Sequence, residues 1–287
     1  MKIIVAIVTR GRAAAVQSLL ERLEAQTRPP DGVILSATCA ADLAGAEDTI
    51  LGSSATIVFG SEGVAIQRNR ALRRAGEADV IVFLDDDFVP FLDALEGVER
   101  LFARYPHVAA ATGQVVADGA IGAPIEAKEA ERLISARRTR WPDRRVIGLY
   151  GCNMAIRMEA ARGVAFDEGL PLYGWQEDLD FGARIATRGE VVRTGAFGGV
   201  HLGVKSGRHP QLGLGYAQIA NPVRLMRNRA IPTRYLIRLM ARNIAANVIY
   251  ALIGDRWADR PGRLRGNILA LCDLFRGRLD PDRVRVL

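Results

Sequence analysis

Phe83-Leu84-Asp85-Asp86-Asp87-Phe88-Val89-Pro90 places three consecutive carboxylates at the end of the apolar run Val80-Ile81-Val82-Phe83-Leu84. A run of β-formers ending abruptly in acids predicts a buried strand whose C-terminal tip opens into a crevice, where open α/β sheets bind ligands. Adjacent carboxylates repel one another and resist desolvation, so the stretch calls for a compensating cation, most simply a divalent metal with oxygen ligands. A polar turn with Asp87 capping the next helix is the competing reading, and the surrounding sequence has to decide.

Toward the N-terminus, Ile3-Ile4-Val5-Ala6-Ile7-Val8 reads as a first strand, too short for a signal peptide. Val16, Leu19, Leu20 and Leu23 then predict a one-faced helix over 13–24. A strand at 33–35, a helix around Asp42, Leu43 and Ile50, a strand at 55–59, a helix over 64–75 and a strand at 79–84 complete a βαβαβαβ order. Helical crossovers of this length join parallel strands, so residues 1–90 read as half of a doubly wound sheet. Beyond the acids, the pattern predicts a helix over 91–105, a strand at 108–116, a polar surface helix around Glu126 to Glu131 and a strand at 146–156. No Gly-x-Gly-x-x-Gly follows the first strand and no P-loop occurs, which argues against dinucleotide and P-loop enzymes.

At 287 residues the chain can bury a large α/β core. Three widely spaced cysteines, Cys39, Cys152 and Cys272, point to a reduced compartment without structural zinc. No apolar stretch of about 18 residues stands out, so no membrane-spanning helix is expected. The charge is lopsided. Residues 221–287 hold 14 arginines against 5 aspartates, a net +9, whereas the first 220 residues carry a net −2.

A second acidic cluster, Gly174-Trp175-Gln176-Glu177-Asp178-Leu179-Asp180, opens an amphipathic helix. Acids favour the positive end of a helix dipole, so capping alone could explain them. Their pairing with the strand-end triplet about 90 residues earlier is more specific. With these two clusters, the chain resembles the family 2 glycosyltransferases, inverting enzymes of GT-A fold. The resemblance is carried in order by Val5 to Arg12, Gly63-Val64-Ala65-Ile66-Gln67-Arg68-Asn69, Asp85-Asp86-Asp87 as a DxD motif, Gly151-Cys152-Asn153-Met154-Ala155, and Glu177-Asp178 as an ED motif.

The resemblance implies an α/β protein of GT-A fold: a Rossmann-like, mostly parallel sheet flanked by helices, with a C-terminal helical extension. Residues 1–220 would be catalytic, with a nucleotide-sugar half at 1–90 and an acceptor half at 91–220, and 221–287 the extension. It implies hexosyl transfer from a nucleotide-sugar to a hydroxyl acceptor, with Mn2+ or Mg2+ neutralising the departing diphosphate. Asp87, Asp85 and His201 would hold the metal, although a lone histidine in Gly199-Val200-His201-Leu202-Gly203 reads equally as a hydrogen-bonded structural residue. His107 and His209 receive no role. Thr9, Arg10, Arg12, Ser36, Arg68, Asn69, Asp85 and Asp86 would contact the donor, with surface salt bridging the alternative for Arg68. Asn153 and Trp175 would face the acceptor. Asp178 matches the family's base and Glu177 would orient it or the acceptor. Family members usually carry an aspartate at the end of the second strand, where this chain reads Val33-Ile34-Leu35-Ser36-Ala37-Thr38. Ser36, Thr38 and Asp42 are the candidates to substitute, and UDP, the commonest choice in the family, is favoured with dTDP or GDP open.

After Pro232, Arg234, Arg238 and Arg242 recur every four residues while Ile237, Met240, Ile244, Val248 and Leu252 share a face. This predicts a basic amphipathic helix in an anionic membrane interface, or one packed on the catalytic domain or a dimer partner. The expectation is a cytoplasmic enzyme, peripheral on the inner face of a bacterial membrane, acting on a glycan or lipid-linked acceptor. The tail has few aromatics to interleave with arginine, which argues against nucleic acid. A sugar-phosphate nucleotidyltransferase and a catalytically silent binding protein of the same shape are the alternatives.

Overall fold

The structure, a computed structural model, describes residues 1–120, 122–137, 139–205 and 210–287, so His209 lies outside it. The chain forms two compact units, one of residues 1–62, 66–165 and 181–207, the other of 63–65, 166–180 and 208–287.

In the first unit, β1 (Ile3–Val8), β2 (Gly32–Ala37), β3 (Thr56–Phe59) and β4 (Val80–Asp85) run parallel in the order β3-β2-β1-β4. β1 and β4 are apolar and buried along most of their length, as strands covered on both faces must be. β3 is the edge, with Ile57 and Phe59 exposed. α1 (Ala13–Glu24) seats Val16, Leu19, Leu20 and Leu23 in the core. The helix expected around Asp42 to Ile50 is instead two 3-10 turns, Ala40–Leu43 and Ala46–Asp48, followed by the single turn α2 (Ile50–Ser53). Gly45, at φ 83°, breaks it, and the Asp42 carboxylate is occupied by the N–H groups of Gly11, Thr38 and Cys39. α3 (Val64–Arg74) leads from β3 to β4.

The chain then turns at Asp86 and Asp87, and β5 (Phe88–Pro90) departs to pair antiparallel with β9 (Glu190–His201). α4 (Ala94–Arg104), β6 (Val108–Asp118), α5 (Ala127–Ser135), β7 (Arg144–Arg145), β8 (Asn153–Arg157), α6 (Met158–Ala161) and α7 (Glu177–Ile185) follow. β8 takes the free side of β4 and the order continues β8-β6-β9-β5, with β7 also on β9. β6 and β9 are parallel and bulged, and their last pairing sets Asp118 opposite His201. The strand expected over 146–156 enters the sheet only from Asn153. Before it, the chain turns through Gly148 and Gly151, where an added Cβ on Gly182 would meet the Leu149 backbone nitrogen at 2.7 Å.

In the second unit, α8 (Gln211–Asn228), α9 (Thr233–Ile253) and α10 (Arg260–Phe275) pack around Tyr216, Ile219, Ala220 and Ala270. α8 runs through 220/221, where the sequence suggested a boundary. α8 and α10 cross at glycines: a methyl on Gly215 would overlap the Arg263 carbonyl oxygen, and one on Gly266 the Leu212 carbonyl oxygen. α9 is held by a buried amide network in which Asn247 Nδ2 donates to Gln218 Oε1 (2.7 Å) and Asn267 Oδ1 (2.8 Å). Its buried positions are Leu236, Leu239 and Asn247, while Ile237, Val248 and Leu252 of the expected apolar stripe are exposed, with Ile249, Tyr250 and Ile253. Contrary to the sequence expectation, α9 is long and apolar enough to cross a membrane by length and composition, with a mean hydropathy of 1.4. Its arginines fall in its first half, so the window beginning at Tyr235 holds only Arg238 and Arg242.

Two glycines on α8 should therefore respond oppositely to alanine. At Gly213 the nearest atoms to an added Cβ are 3.8 Å away, and Gly213→Ala should raise stability by up to about 1 kcal/mol. Gly215→Ala gains the same propensity but overpacks a backbone contact and should lower it by about 1–3 kcal/mol. Thermal melts of the two variants beside the unmutated protein check the pair.

Candidate functional site

β4 ends at Asp85 and the chain turns through Asp86 and Asp87, so the acid triplet does not share one set of partners. Asp85 and Asp87 turn toward His201, whose Nε2 lies 3.9 Å from Asp85 Oδ2 and 3.3 Å from Asp87 Oδ1. These three side chains offer ligand atoms all within 4.8 Å of one another. Two carboxylates and an imidazole at this spacing are a donor set that a divalent cation would fit. Asp86 turns away, accepting from the Thr9 hydroxyl at 2.7 Å and from Arg12 Nη1 at 3.0 Å.

Each acid has its own counterweight. Asp87 Oδ2 accepts the Val204 N–H at 2.7 Å and lies 3.6 Å from Arg12 Nη1. Burial works against its charge, but the His201 contact, Arg12 and the Val204 N–H outweigh it and hold the carboxyl below its ordinary range. Asp86 is less well compensated. Burial, with the neighbouring Asp87 charge, pushes its pKa up to about 6 despite Arg12 and Thr9. Burial likewise opposes the charged form of His201, yet hydrogen bonds to Asp118 and Asp87 hold its pKa well above the usual value. Asp118 is depressed in turn, burial being overcome by its bonds to His201 and Tyr150.

Arg68 is 3% exposed, so it does not bridge on the surface as one reading allowed. Its Nη2 donates to Asp85 Oδ1 at 3.1 Å and to the Gly151 carbonyl at 2.9 Å. An added Cβ on Gly151 would lie 2.7 Å from the guanidinium, so a larger residue there would have to displace Arg68. Arg10 pairs with Glu62 at 2.8 Å, Ser36 Oγ accepts from Arg70 at 3.3 Å, and Asn69 and Asn153 are buried. Thr38 donates its hydroxyl to Asp42 at 2.6 Å, so the two close a loop on each other. Sequence reasoning missed Asp118 and Tyr150. Asp118 ends a strand followed by Gly119, the same apolar-run-to-acid signal as Asp85, and Tyr150 directly precedes the motif glycine Gly151.

In the second unit, a loop with left-handed backbone at Leu172 (φ 56°), Gly174 (φ 61°) and Gln176 (φ 73°) delivers the ED motif. Two non-glycine residues held there store conformational cost, a pattern that clusters at functional sites. The Trp175 carbonyl accepts from Asn221 at 2.8 Å, pinning the joint. Glu177 and Asp180 are buried, Asp180 accepting from Asn228 at 3.2 Å, whereas Asp178 is half-buried and so the most accessible of the three acids.

A family model described as glycosyl transferase family 2 matches residues 4–164. Comparison with curated protein sequences returns no match. Among solved structures, residues 1–349 of S. aureus TarS align with a TM-score of 0.61 at 15% identity, over 100% of this chain and 83% of that one. TarS has also been solved with UDP-GlcNAc. A mannosyltransferase from Pyrobaculum calidifontis, in complex with GDP-Man and Mn2+, gives 0.54 at 18% identity over 99% and 85%. GalNAc-T7, with UDP, GalNAc and Mn2+, gives 0.57 at 13%, and the chain spans 57% of its length. These likenesses establish the GT-A fold expected from the sequence. With more than half its length matched by the family model, the chain belongs to glycosyltransferase family 2.

Proposed function

We propose that the protein is a metal-dependent, inverting hexosyltransferase that moves a sugar from a nucleotide-sugar to a hydroxyl of a glycan or lipid-linked acceptor. The observation that carries the metal dependence is the convergence of Asp85, Asp87 and His201. A mixed oxygen and nitrogen donor set suits Mn2+ better than Mg2+, which favours oxygen alone. Asp85, Asp87 and His201 would hold the cation, which would supply positive charge to the departing diphosphate. Arg12, fixed by Asp86, adds a second positive group beside them. Asp178 takes the proton of the acceptor hydroxyl and Glu177 orients it, with Trp175 toward the acceptor. UDP is the favoured nucleotide. The neighbours carry both UDP and GDP donors, so dTDP and GDP stay in the test.

We also propose that the enzyme works peripherally on the inner face of a membrane, with α9 in the interface. Its exposed Ile249, Leu252 and Ile253, beside exposed Arg234, Arg238 and Arg242, support this reading.

Three outcomes follow. UDP with Mn2+ at about 100 times its Kd should stabilise the protein by roughly 2.7 kcal/mol in a thermal melt. The effect should vanish without metal or in Asp87→Ala; Asp178→Asn should keep the shift but lose about 10²- to 10⁴-fold in transfer rate. Full turnover by Asp178→Asn would remove it as the base. Second, the ionised Asp86 is costly, because a pKa raised on folding favours the folded state below the unfolded value and forfeits that as pH rises through about 6. Asp86→Asn should therefore melt higher than the unmutated protein at pH 8, with the gap closing toward pH 4. Third, the protein should float with anionic vesicles and be released by salt; failure to bind them at any ionic strength sinks the membrane reading.

A further inference from the structure

A histidine that holds a metal through Nε2 keeps its proton on Nδ1, usually donated to a carboxylate that fixes the ring's tautomer and orientation. His201 has that arrangement. Its Nε2 faces the Asp85 and Asp87 carboxylates, and its Nδ1 lies 2.9 Å from Asp118 Oδ1 on the opposite side of the ring. Asp118 is fixed in its turn. The Tyr150 hydroxyl donates to its Oδ2 at 2.6 Å and the Ala120 N–H to its Oδ1 at 2.9 Å. The Tyr150 ring also stands edge-on to the imidazole, with centroids 6.4 Å apart. The pairing of β6 with β9 sets Asp118 opposite His201 at the last rung of both strands. The contact is therefore built by the sheet and not by a loose side chain.

Resting on the metal reading above, we infer that Asp118 is the positioning residue that orients His201 toward the cation, with Tyr150 as its brace. Asp118 makes no contact with the cation in this scheme. It commits Nε2 to the side where Asp85 and Asp87 lie, and its negative charge makes the imidazole a better donor. Tyr150, which donates a hydrogen bond and carries no charge, restrains the carboxylate against rotation.

Titration of the full chain with Mn2+ alone, followed by the electron paramagnetic resonance of the free ion, tests this without any turnover. Asp118→Asn should weaken Mn2+ binding about 10- to 100-fold, and Tyr150→Phe should give a smaller loss. In a His201→Ala background, Asp118→Asn should cause no further loss, because its effect runs through the ring. A purely structural role would instead lower affinity by the same factor with or without His201, and that result overturns the inference. Undiminished Mn2+ affinity in Asp118→Asn overturns it as well while leaving the metal reading intact. If the unmutated protein binds no Mn2+, both fall together. Tyr150→Phe keeps the charge and the backbone, so it reads the same relay should Asp118→Asn fail to fold.

Discussion

Three successive carboxylates at the end of a buried strand are the constraint to which the first unit answers. Buried together, each would raise the pKa of its neighbours. The turn at Asp86 and Asp87 gives Asp86 different partners from the other two, and positive groups offset the charge around all three. Asp85 and Asp87 share His201, and Asp86 takes Arg12 and the Thr9 hydroxyl. The departure of β5 from β4 at this turn belongs to the same solution, because it pairs Phe88 with His201 and thereby brings the end of β9 beside the acids.

The second unit meets a different constraint. Its helices approach closely at Gly215 and Gly266, leaving little room there for the interlocking large side chains that usually join helices. Amides take over part of that role: Asn267 Nδ2 donates to the Gly215 carbonyl at 2.6 Å, and Asn247 reaches both Gln218 and Asn267. Buried amide bonds of this kind favour one packing over others. Asp273 supplies a second anchor, accepting from Tyr216 at 2.9 Å and from Arg278 at 3.0 Å, with Arg283 also paired to it. α9 can then leave most of its apolar surface outside the bundle and still be held.

What the sequence disclosed follows from the range of each signal. The parallel half was legible because strands buried on both faces read as unbroken apolar runs. The metal candidates were legible because Asp85 and Asp87 announce themselves by their charge at the end of such a run. Asp118 was not, although a short apolar run precedes it, since its contact with His201 spans 83 residues and depends on a register that three shifts along β6 and β9 set. The helix expected near Asp42 failed because a carboxylate that accepts three backbone N–H groups favours a turn over a helix. The inward face of α9 was hidden for a related reason. Hydropathy marks apolar stripes, whereas this helix is fastened partly by Asn247, which such a pattern assigns to solvent.

The turn at Tyr150-Gly151 touches the supports of two candidate ligands. The Gly151 carbonyl receives Arg68, and the same guanidinium holds Asp85. One residue earlier, the Tyr150 hydroxyl holds Asp118, which holds His201. Two of the three candidate ligands, arriving from different strands, are thus braced by one turn, whose backbone fixes one and whose side chain fixes the other. A glycine at 151 admits Arg68 and a ring at 150 spans the distance to Asp118. The two ligands thus reach one turn by separate routes, Asp85 through Arg68 to the Gly151 carbonyl and His201 through Asp118 to the Tyr150 hydroxyl.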